Sequence, residues 1–315
     1  MKTAEIPTLK DVNQALQRIK PYIHKTPIFT SSYFDRKVGA NLFFKCENFQ
    51  KVGAFKIRGA TNFILQLSTL QATKGVVTHS SGNHGQAVAA AAKVQKIPAT
   101  VVMPESSAEV KRAAVSDYGG KVKICPDGDK ERHKAADQFV VEGATLIHPY
   151  DHPWIVSGQG TLAIELFEQV SDLDVVIVPV GGGGCLSGVT IVCRGLGLPV
   201  ELFGAEPESA DDAARSLVAG RLIPSLRPAT MADGLRTSLS PLTFSTLFSN
   251  NVQILTVSEE QILAAMLAIW TRMKLVVEPS AAVSLAAVFA HASRFRGRRI
   301  GIVLTGGNVD LNNSL

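Results

Sequence analysis

DVVIVPVGGGGCLSGV, residues 174–189, is the most informative stretch of the sequence for the fold. Its first seven residues are almost uniformly apolar, which is typical of a strand buried on both faces of a sheet. Four glycines follow, and the residues from Cys185 onward can open a helix. Glycines let the backbone approach a ligand closely, and the N–H groups at a helix start favour an anion. We therefore predict that Gly181, Gly182, Gly183 and Gly184 bind a phosphate.

The same stretch does not match the common nucleotide-binding motifs. No Lys-Ser/Thr pair follows the glycines, so the loop is not a P-loop. Counted from Gly182, the last position of a G-x-G-x-x-G pattern is occupied by Ser187. The glycine loop alone does not identify which phosphate is bound.

Short β-rich runs alternate with helical patterns on both sides of this stretch. Strands are predicted near residues 41–46, 75–78, 99–103, 121–125, 143–147, 174–180, 200–205, 252–256 and 299–304. Such alternation predicts parallel sheets with helices on both faces. The predicted fold class is therefore α/β with two open parallel-sheet domains. Residues 1–74 and 150–315 form the large domain, and residues 75–149 form the small one.

Composition excludes several classes of protein. The 315 residues are 46% apolar and 19% charged, which is enough for a sizeable core. The net charge of +5 is not concentrated in a basic run, so no nucleic-acid partner is expected. The longest apolar stretch, Ala281–Ala290, is about half the roughly 20 residues of a membrane span, and Met1–Lys10 is not a secretory signal. Four cysteines without C-x-x-C spacing predict reduced thiols and a cytoplasmic location.

Two further segments carry candidate chemistry. SSGNHGQ, residues 80–86, precedes an alanine-rich helix, and its hydroxyls, amide and backbone N–H groups suit a carboxylate, although turn and capping roles explain them equally well. Lys56 lies between Phe55 and Ile57, and a desolvated lysine loses basicity and can attack a carbonyl as the free amine. A phosphate loop, a carboxylate loop and a reactive lysine together indicate pyridoxal phosphate chemistry.

Two possible metal sites follow from the acidic and histidine residues. The segment 206–212, EPESADD, suits Mg²⁺ or Ca²⁺, although solvated acidic loops are commoner. His148 and His152 have i, i+4 spacing, but Pro149 and Pro153 break any helix there, so we do not expect these two to form a zinc site.

Over nearly its whole length the chain resembles the fold-type II pyridoxal-phosphate enzymes, whose fold is like that of the tryptophan synthase β-subunit. The most similar group contains the eukaryotic serine racemases, the biodegradative threonine/serine dehydratases and the threo-3-hydroxyaspartate ammonia-lyases. Seven ordered motifs carry the resemblance: FFKCENFQKVGAFKIRGA, THSSGNHGQA, HPYDHPWIVSGQGT, VPVGGGGCLSG, AEPESADDA, MADG and LTGGNVD.

The resemblance implies a role for each matching residue. Lys56 resembles the lysine that binds the cofactor covalently, with Phe55 beside the cofactor and Asn83 at its 3′-hydroxyl. The remaining implied roles are the phosphate cup (Gly181 to Gly184 and Cys185), the pyridine nitrogen partner (Thr305), the substrate-carboxylate loop (Ser80, Ser81, Asn83, His84), a second substrate anion (Arg132), the substrate pocket (Tyr150, Thr237) and a divalent-cation site (Glu206, the Ala210 carbonyl, Asp212). Ser81 is expected to face the cofactor on the side opposite Lys56.

The resemblance also implies the activity. We expect an ammonia-lyase that converts L-serine, L-threonine or 3-hydroxyaspartate to a 2-oxo acid and ammonia, with Mg²⁺, Mn²⁺ or Ca²⁺ as a second cofactor. Serine racemase activity is the alternative, and a non-catalytic nucleotide-binding module and a β-replacement enzyme are further rivals. Thr305 stands where the group often has serine, and Tyr150 and Thr237 lie at positions where the animal racemases differ. A homodimer is expected, and a nucleotide effector is left open.

Overall fold

The computed structural model describes residues 5–80, 82–107, 109–225 and 228–311, without the side chain of Asp129. Ser81, one of the predicted catalytic residues, lies outside the described residues. The strands are β1 (Ile28–Phe29), β2 (Asn41–Cys46), β3 (Val76–His79), β4 (Ala99–Pro104), β5 (Lys121–Cys125), β6 (Thr145–Leu146), β7 (Val175–Pro179), β8 (Glu201–Pro207), β9 (Gln253–Val257) and β10 (Arg299–Leu304). The helices are α1 (Leu9–Ile19), α2 (Ser32–Val38), α3 (Lys56–Ile64), α4 (Thr69–Lys74), α5 (Asn83–Val94), α6 (Glu109–Asp117), α7 (Asp129–Val141), α8 (Pro153–Gln169), α9 (Gly184–Gly195), α10 (Asp212–Ala219), α11 (Pro241–Ser249), α12 (Glu259–Ala268), α13 (Pro279–Ala290) and α14 (Ala292–Phe295).

The strands form two sheets, as the alternating pattern predicts. The larger sheet has the order β1-β2-β10-β7-β8-β9, and the smaller one has the order β5-β4-β3-β6. All neighbouring strands are parallel except β1 and β2. The predicted α/β class with two parallel sheets is confirmed. All four strands of the smaller sheet fall within residues 75–149, while the domain boundaries themselves stay a prediction.

The strand that opens the glycine stretch lies inside the larger sheet. All five residues of β7 are buried, and β7 pairs with β10 on one side and β8 on the other. Helices cover both faces of such a sheet, so both sets of alternating side chains must be apolar. This burial places the glycine loop at the carboxyl end of an inner strand, where open parallel sheets bind their ligands.

A cluster of buried charges anchors the start of α3. Arg58 donates to Glu47 at 2.7 Å and to Glu165 at 2.8 Å, and Lys45 donates to Glu165 at 2.7 Å. These four side chains are almost fully buried and link β2, α3 and α8. Because removing one member leaves an uncompensated buried charge, the cluster resists displacement of α3. Lys56 therefore begins a helix that is held firmly on two sides.

Two observations concern the predicted environment of the protein. All four cysteines are free and buried, and burial raises the pKa of Cys46, Cys185 and Cys193 to about 12, so these remain protonated thiols near neutral pH. Among the described residues, none of the helices combines the length and the apolar character that crossing a membrane requires.

Candidate active site

A cavity of about 620 Å³ lies at the carboxyl ends of strands from both sheets. This volume is within the range of about 300–1,000 Å³ that small-molecule sites occupy. Its wall includes Ser80 after β3, Gly181 after β7 and Thr305 after β10. Segments that are far apart in the sequence therefore meet at a single site.

Lys56, the first residue of α3, lines this cavity. Its Nζ donates a hydrogen bond to the Pro149 carbonyl at 3.0 Å and lies 5.2 Å from the centre of the Phe55 ring. Desolvation lowers the pKa of the amine to about 8, although the nearby Cys185 and Glu278 oppose this shift. A sizeable fraction of the amine is therefore neutral at a slightly alkaline pH, as a nucleophile or proton acceptor requires.

The glycine loop has the backbone geometry that an anion site needs. Gly183 has a φ of +82° and is the N-cap of α9, whose first turn has N–H groups without intrahelical partners. A Cβ on Gly182 would lie 2.3 Å from the Tyr150 ring, so only glycine fits there. Thr243 Oγ1 donates to the Gly182 carbonyl at 2.9 Å and holds the loop from behind. The arrangement fits a bound phosphate group.

Asn83 is held by two partners that the sequence analysis did not identify. Its Nδ2 donates to Glu278 Oε1 at 2.8 Å, and its Oδ1 accepts from Asn308 Nδ2 at 2.8 Å. Glu278 is 4% exposed and lines the cavity. Burial, reinforced by Asp233, raises the pKa of Glu278 to about 8. The Asn83 amide therefore has a fixed orientation toward the cavity.

The other predicted substrate and cofactor residues also line the cavity: Phe55, Ser80, His84, Arg132, Cys185, Thr237 and Thr305. Helix α5 begins at Asn83, with Gly82 as its N-cap, so the last four residues of the segment 80–86 lie within the helix rather than before it. His84 is buried, and its Nε2 donates to the Ile147 carbonyl at 3.1 Å. Desolvation and the nearby Lys56 lower the pKa of His84 well below its usual value, so the ring is neutral. The predicted carboxylate-binding role of this loop stays a prediction.

The structure places the histidines in a grouping that the sequence spacing did not predict. His152 caps α8 and accepts a hydrogen bond from the Trp154 N–H at 3.1 Å. His148 instead lies with His79 and His133, and one nitrogen of each ring lies within 4.8 Å of the others. All three side chains line the cavity.

The predicted cation residues, Glu206, Ala210 and Asp212, lie outside the cavity wall. Glu206 Oε1 accepts from the Ala214 N–H at 2.7 Å, and Oε2 accepts from the Ala213 N–H at 3.3 Å. Glu206 and Asp212 are each 1% exposed, so a solvated acidic loop is the wrong interpretation. Asp212 Oδ2 is buried and has no hydrogen-bond partner among the described residues.

Burial raises the pKa of Glu206 to about 9 and that of Asp212 to about 6. Two buried carboxyl groups with raised pKa values and an unpartnered oxygen fit a hard divalent cation. Ala210, whose carbonyl is the third predicted ligand, is also buried. It lies between Glu206 and Asp212 in the sequence. The donor set therefore agrees with the predicted cation site, and its occupation stays a prediction.

The fold, the buried lysine and the glycine loop together define a class of cofactor-dependent enzyme. The chain belongs to the pyridoxal-phosphate-dependent enzymes, because the family model described as "Pyridoxal-phosphate dependent enzyme" matches residues 19–306. The predicted cofactor and fold-type II assignment are thereby confirmed. The reactive-lysine interpretation is favoured over a non-catalytic nucleotide-binding module.

Individual relatives indicate which kinds of enzyme within this family the chain is similar to. The chain is 46% identical to a β-hydroxyaspartate dehydratase of Paracoccus denitrificans, over 98% of this chain and 98% of the relative. It is 44% identical to a serine racemase of Dictyostelium discoideum, over 97% of this chain and 96% of the relative. The structure of maize serine racemase superposes with a TM-score of 0.95 at 41% identity, covering 98% of this chain and 95% of that one.

Proposed function

We propose that the protein is a pyridoxal-phosphate-dependent ammonia-lyase that converts a β-hydroxy amino acid to a 2-oxo acid and ammonia. The observation that carries the proposal is the Lys56 amine, with its pKa lowered to about 8, in a cavity that also contains the glycine loop. The relatives named β-hydroxyaspartate dehydratase and serine racemase both act on hydroxy amino acids, which supports this substrate class.

The residues of the site have two kinds of role: some bind the cofactor and the substrate, and Lys56 transfers a proton. The bound cofactor supplies a site for the substrate amine and delocalises the negative charge that develops at Cα. The N–H groups from Gly181 to Cys185 would hold the cofactor phosphate, and Asn83, fixed by Glu278 and Asn308, would orient the 3′-hydroxyl. Thr305 would contribute a neutral hydroxyl toward the pyridine nitrogen, and the loop from Ser80 to His84 would bind the substrate carboxylate.

Lys56 then acts as the base. Its neutral amine accepts the Cα proton of an L-substrate, and its hydrogen bond to the Pro149 carbonyl keeps Nζ at the cavity wall. The β-hydroxyl leaves with a proton as water, and the unsaturated amine that remains is hydrolysed by a second water to the 2-oxo acid and ammonia. The same proton removal begins racemisation, provided that a second group delivers a proton to the opposite face.

Serine racemase activity is the second candidate because the Dictyostelium relative and the maize structure both have that name. Ser81 is the predicted donor on the opposite face, and this assignment rests on the resemblance alone. Purified holoprotein should be assayed with L-serine, L-threonine and 3-hydroxyaspartate for 2-oxo acid and for D-serine. We expect 2-oxo acid from at least one substrate; absence of both products, or turnover only when sulfide or indole is added, would contradict the proposal.

Ser81→Ala separates the two activities. The substitution should abolish D-serine formation and D-serine elimination, while L-substrate elimination falls by about 10²-fold at most. Both enantiomers are measured on one preparation, with the cofactor absorbance as the check on folding. An equal loss for both enantiomers would contradict the assignment of Ser81 to the second face.

The proposal also covers the cation site, the oligomeric state, the location and the regulation of the protein. Glu206, Asp212 and the Ala210 carbonyl bind Mg²⁺, with Mn²⁺ or Ca²⁺ as substitutes, and their buried unpaired oxygen supports this assignment. A homodimer and a cytoplasmic location also stay predictions, and regulation by a nucleotide effector is left open.

A further inference from the structure

Asn308 lies outside the cavity wall, but its side chain connects two segments of the active site. Its Nδ2 donates to the Val52 carbonyl at 2.8 Å and to Asn83 Oδ1 at 2.8 Å. Val52 precedes the reactive Lys56 in the same loop, and Asn83 is the first residue of α5. One amide group therefore joins the turn before the lysine to the predicted partner of the cofactor 3′-hydroxyl.

The turn that Asn308 contacts has an unfavourable backbone conformation. Val52 has a φ of +58° and a ψ of +14°, in the left-handed region that β-branched residues rarely adopt. Gly53 follows with a φ of +68°, and a Cβ on it would lie 2.7 Å from Asn308 Oδ1. Residues persist in such a region where the surrounding contacts hold them. The Asn308 side chain supplies two of these contacts, because it is bonded to Val52 and packed against Gly53.

The Val52 carbonyl determines which way two amide groups face. A carbonyl oxygen only accepts hydrogen bonds, so the Asn308 atom beside it is Nδ2. The same nitrogen donates its second hydrogen to Asn83, so the Asn83 atom beside it is the acceptor Oδ1. Asn83 Nδ2 therefore lies on the other side of its amide group, where one of its two hydrogens is donated to Glu278 Oε1 at 2.8 Å.

Glu278 does not fix this orientation by itself. Burial, reinforced by Asp233, raises the pKa of its carboxyl group to about 8, so the group is mostly protonated at pH 7. A protonated carboxyl group donates as well as accepts, and it can therefore also pair with the oxygen of a reversed Asn83 amide. Among the contacts of the described residues, the one with Asn308 distinguishes the two orientations.

The orientation decides what Asn83 offers to a ligand. Asn83 lines the cavity, and its second Nδ2 hydrogen has no acceptor within the described part of the chain. An N–H donor binds an anionic oxygen more strongly than a neutral one. A 3′-oxygen beside this N–H is therefore stabilised in its deprotonated form. A reversed amide would present its carbonyl oxygen and would favour the protonated hydroxyl.

We propose that Asn308 is a positioning residue that orients the Asn83 amide, so that Asn83 donates to the 3′-oxygen of pyridoxal phosphate and stabilises its deprotonated form. This inference rests on the proposed function, in which Asn83 binds the 3′-hydroxyl, and it adds a residue that acts on the cofactor from outside the cavity.

The absorbance of the holoprotein tests the inference without turnover. The cofactor with a deprotonated 3′-oxygen absorbs at longer wavelength than the form with a protonated hydroxyl, so the ratio of the two bands at pH 7 measures their equilibrium. We expect this ratio to fall at least about tenfold in Asn308→Asp, because a carboxylate cannot donate to Val52 or to Asn83. An unchanged ratio at saturating pyridoxal phosphate would overturn the inference.

Two comparisons separate the orientation of Asn83 from the added negative charge. Asn48 donates to the Val276 carbonyl at 3.1 Å, and its Cβ would lie 3.2 Å from a Cβ on Gly307, the residue before Asn308. Asn48→Asp therefore makes the same chemical change nearby, and the ratio should stay within about twofold of the wild type. In an Asn83→Ala background, Asn308→Asp should likewise change the ratio by less than about twofold, because the residue through which it acts is gone.

A fall of about tenfold in Asn48→Asp, or a further fall of that size in the double variant, would overturn the inference. Asn308→Ala is the neutral variant for the case in which Asn308→Asp does not fold. It should lower the ratio in the same direction because the Asn83 amide is then free to reverse, and an unchanged ratio in the folded variant would overturn the inference. The expected band ratios in a protein that forms no 2-oxo acid would instead reject the proposed lyase activity alone.

Discussion

Glu278 is a buried side chain that fixes the amide of Asn83, the residue that we propose binds the cofactor 3′-hydroxyl. It accepts the Asn83 amide at 2.8 Å, and its pKa is raised to about 8 by burial. The carboxyl group is therefore mostly protonated at pH 7, and glutamine reproduces its size and its acceptor oxygen. Alanine would instead leave the buried Asn83 donor without that partner.

We predict that Glu278→Gln binds pyridoxal phosphate at pH 7 with nearly wild-type affinity, while Glu278→Ala binds about tenfold more weakly. Cofactor titration of the apoprotein, followed by absorbance, measures both. As the pH rises through 8, the wild-type protein loses a proton from Glu278 as well as from Lys56, whereas Glu278→Gln titrates at Lys56 alone, so the pH dependence of cofactor affinity should differ between the two proteins. If both variants bound pyridoxal phosphate equally weakly, the hydrogen bond between Asn83 and Glu278 would not explain the loss of affinity.

Single residues were predictable where a local motif surrounds them. Lys56 and Gly181 to Gly184 stand within continuous patterns, and the structure places them all on the cavity wall. Glu278 and Asn308 were missed because they reach Asn83 from 195 and 225 residues away, a relation that no local pattern encodes. One signal was available. Glu278 is the N-cap of α13, a position where shorter polar side chains are preferred, so a glutamate is unusual there.

At the level of elements, the turn from β7 into α9 depends on backbone geometry. Gly183 has a φ of +82°, and a Cβ there would lie 2.7 Å from Leu239 Cδ2 and 2.9 Å from Thr243 Cβ. Gly197 has a similar φ of +64° but nothing within 4 Å of its Cβ position. A side chain would be conformationally unfavourable at both glycines because both have a positive φ. Only at Gly183 would it also make close contacts.

We predict that Gly183→Ala lowers pyridoxal phosphate affinity by at least about 10²-fold, because the loop must shift to relieve the contacts. Gly197→Ala should lower the free energy of unfolding by about 1 kcal/mol and leave cofactor affinity unchanged. Cofactor titration and denaturant unfolding of both variants provide the comparison. Similar cofactor affinities in the two variants would mean that the loop tolerates a side chain.

The predicted strands agree with the observed ones because apolar runs between turn residues mark them clearly. Each predicted strand overlaps an observed strand, with ends that differ by at most two residues. The two-residue strand β1 was not predicted, since so short a segment has no periodicity. The early start of α5 was missed because Gly82 caps the helix without a side-chain hydrogen bond.

For the whole molecule, the buried carboxyl groups of Glu206 and Asp212, together with Glu278, make stability depend on pH. The pKa of Glu206 rises from 4.5 to about 9 in the folded protein, and that of Asp212 rises from 3.8 to about 6. The folded state therefore binds more protons than the unfolded state between these values. Their contribution to stability is present at low pH and is lost as the pH rises toward 9, unless a cation compensates the charges.

We predict that chelator-treated protein has a lower Tm at pH 8 than at pH 6, and that Mg²⁺ raises the Tm at pH 8 by at least about 5 °C. Differential scanning calorimetry at the two pH values measures the effect. Glu206→Gln should abolish the response to Mg²⁺, while Glu208→Gln, an exposed residue two positions later, should retain it. A Tm at pH 8 that changes with neither chelator nor Mg²⁺ would contradict the predicted cation site.

The arrangement of the strands was only partly predictable from the sequence. Alternation of strands and helices predicted two parallel sheets, but not that β10 lies between β2 and β7. This order depends on which helices cover which face, and therefore on packing between distant segments. The proximity of His79, His133 and His148 has the same origin, because β3, α7 and β6 are separate in the sequence and lie side by side only in the folded chain.

The central claim is that Lys56 carries the cofactor and performs the chemistry. Borohydride reduction of the holoprotein, followed by peptide mass mapping, tests this claim most directly. The account predicts a single reduced adduct on Lys56, with no adduct and no turnover in Lys56→Ala. An adduct on another lysine, or turnover that survives in Lys56→Ala, would contradict it.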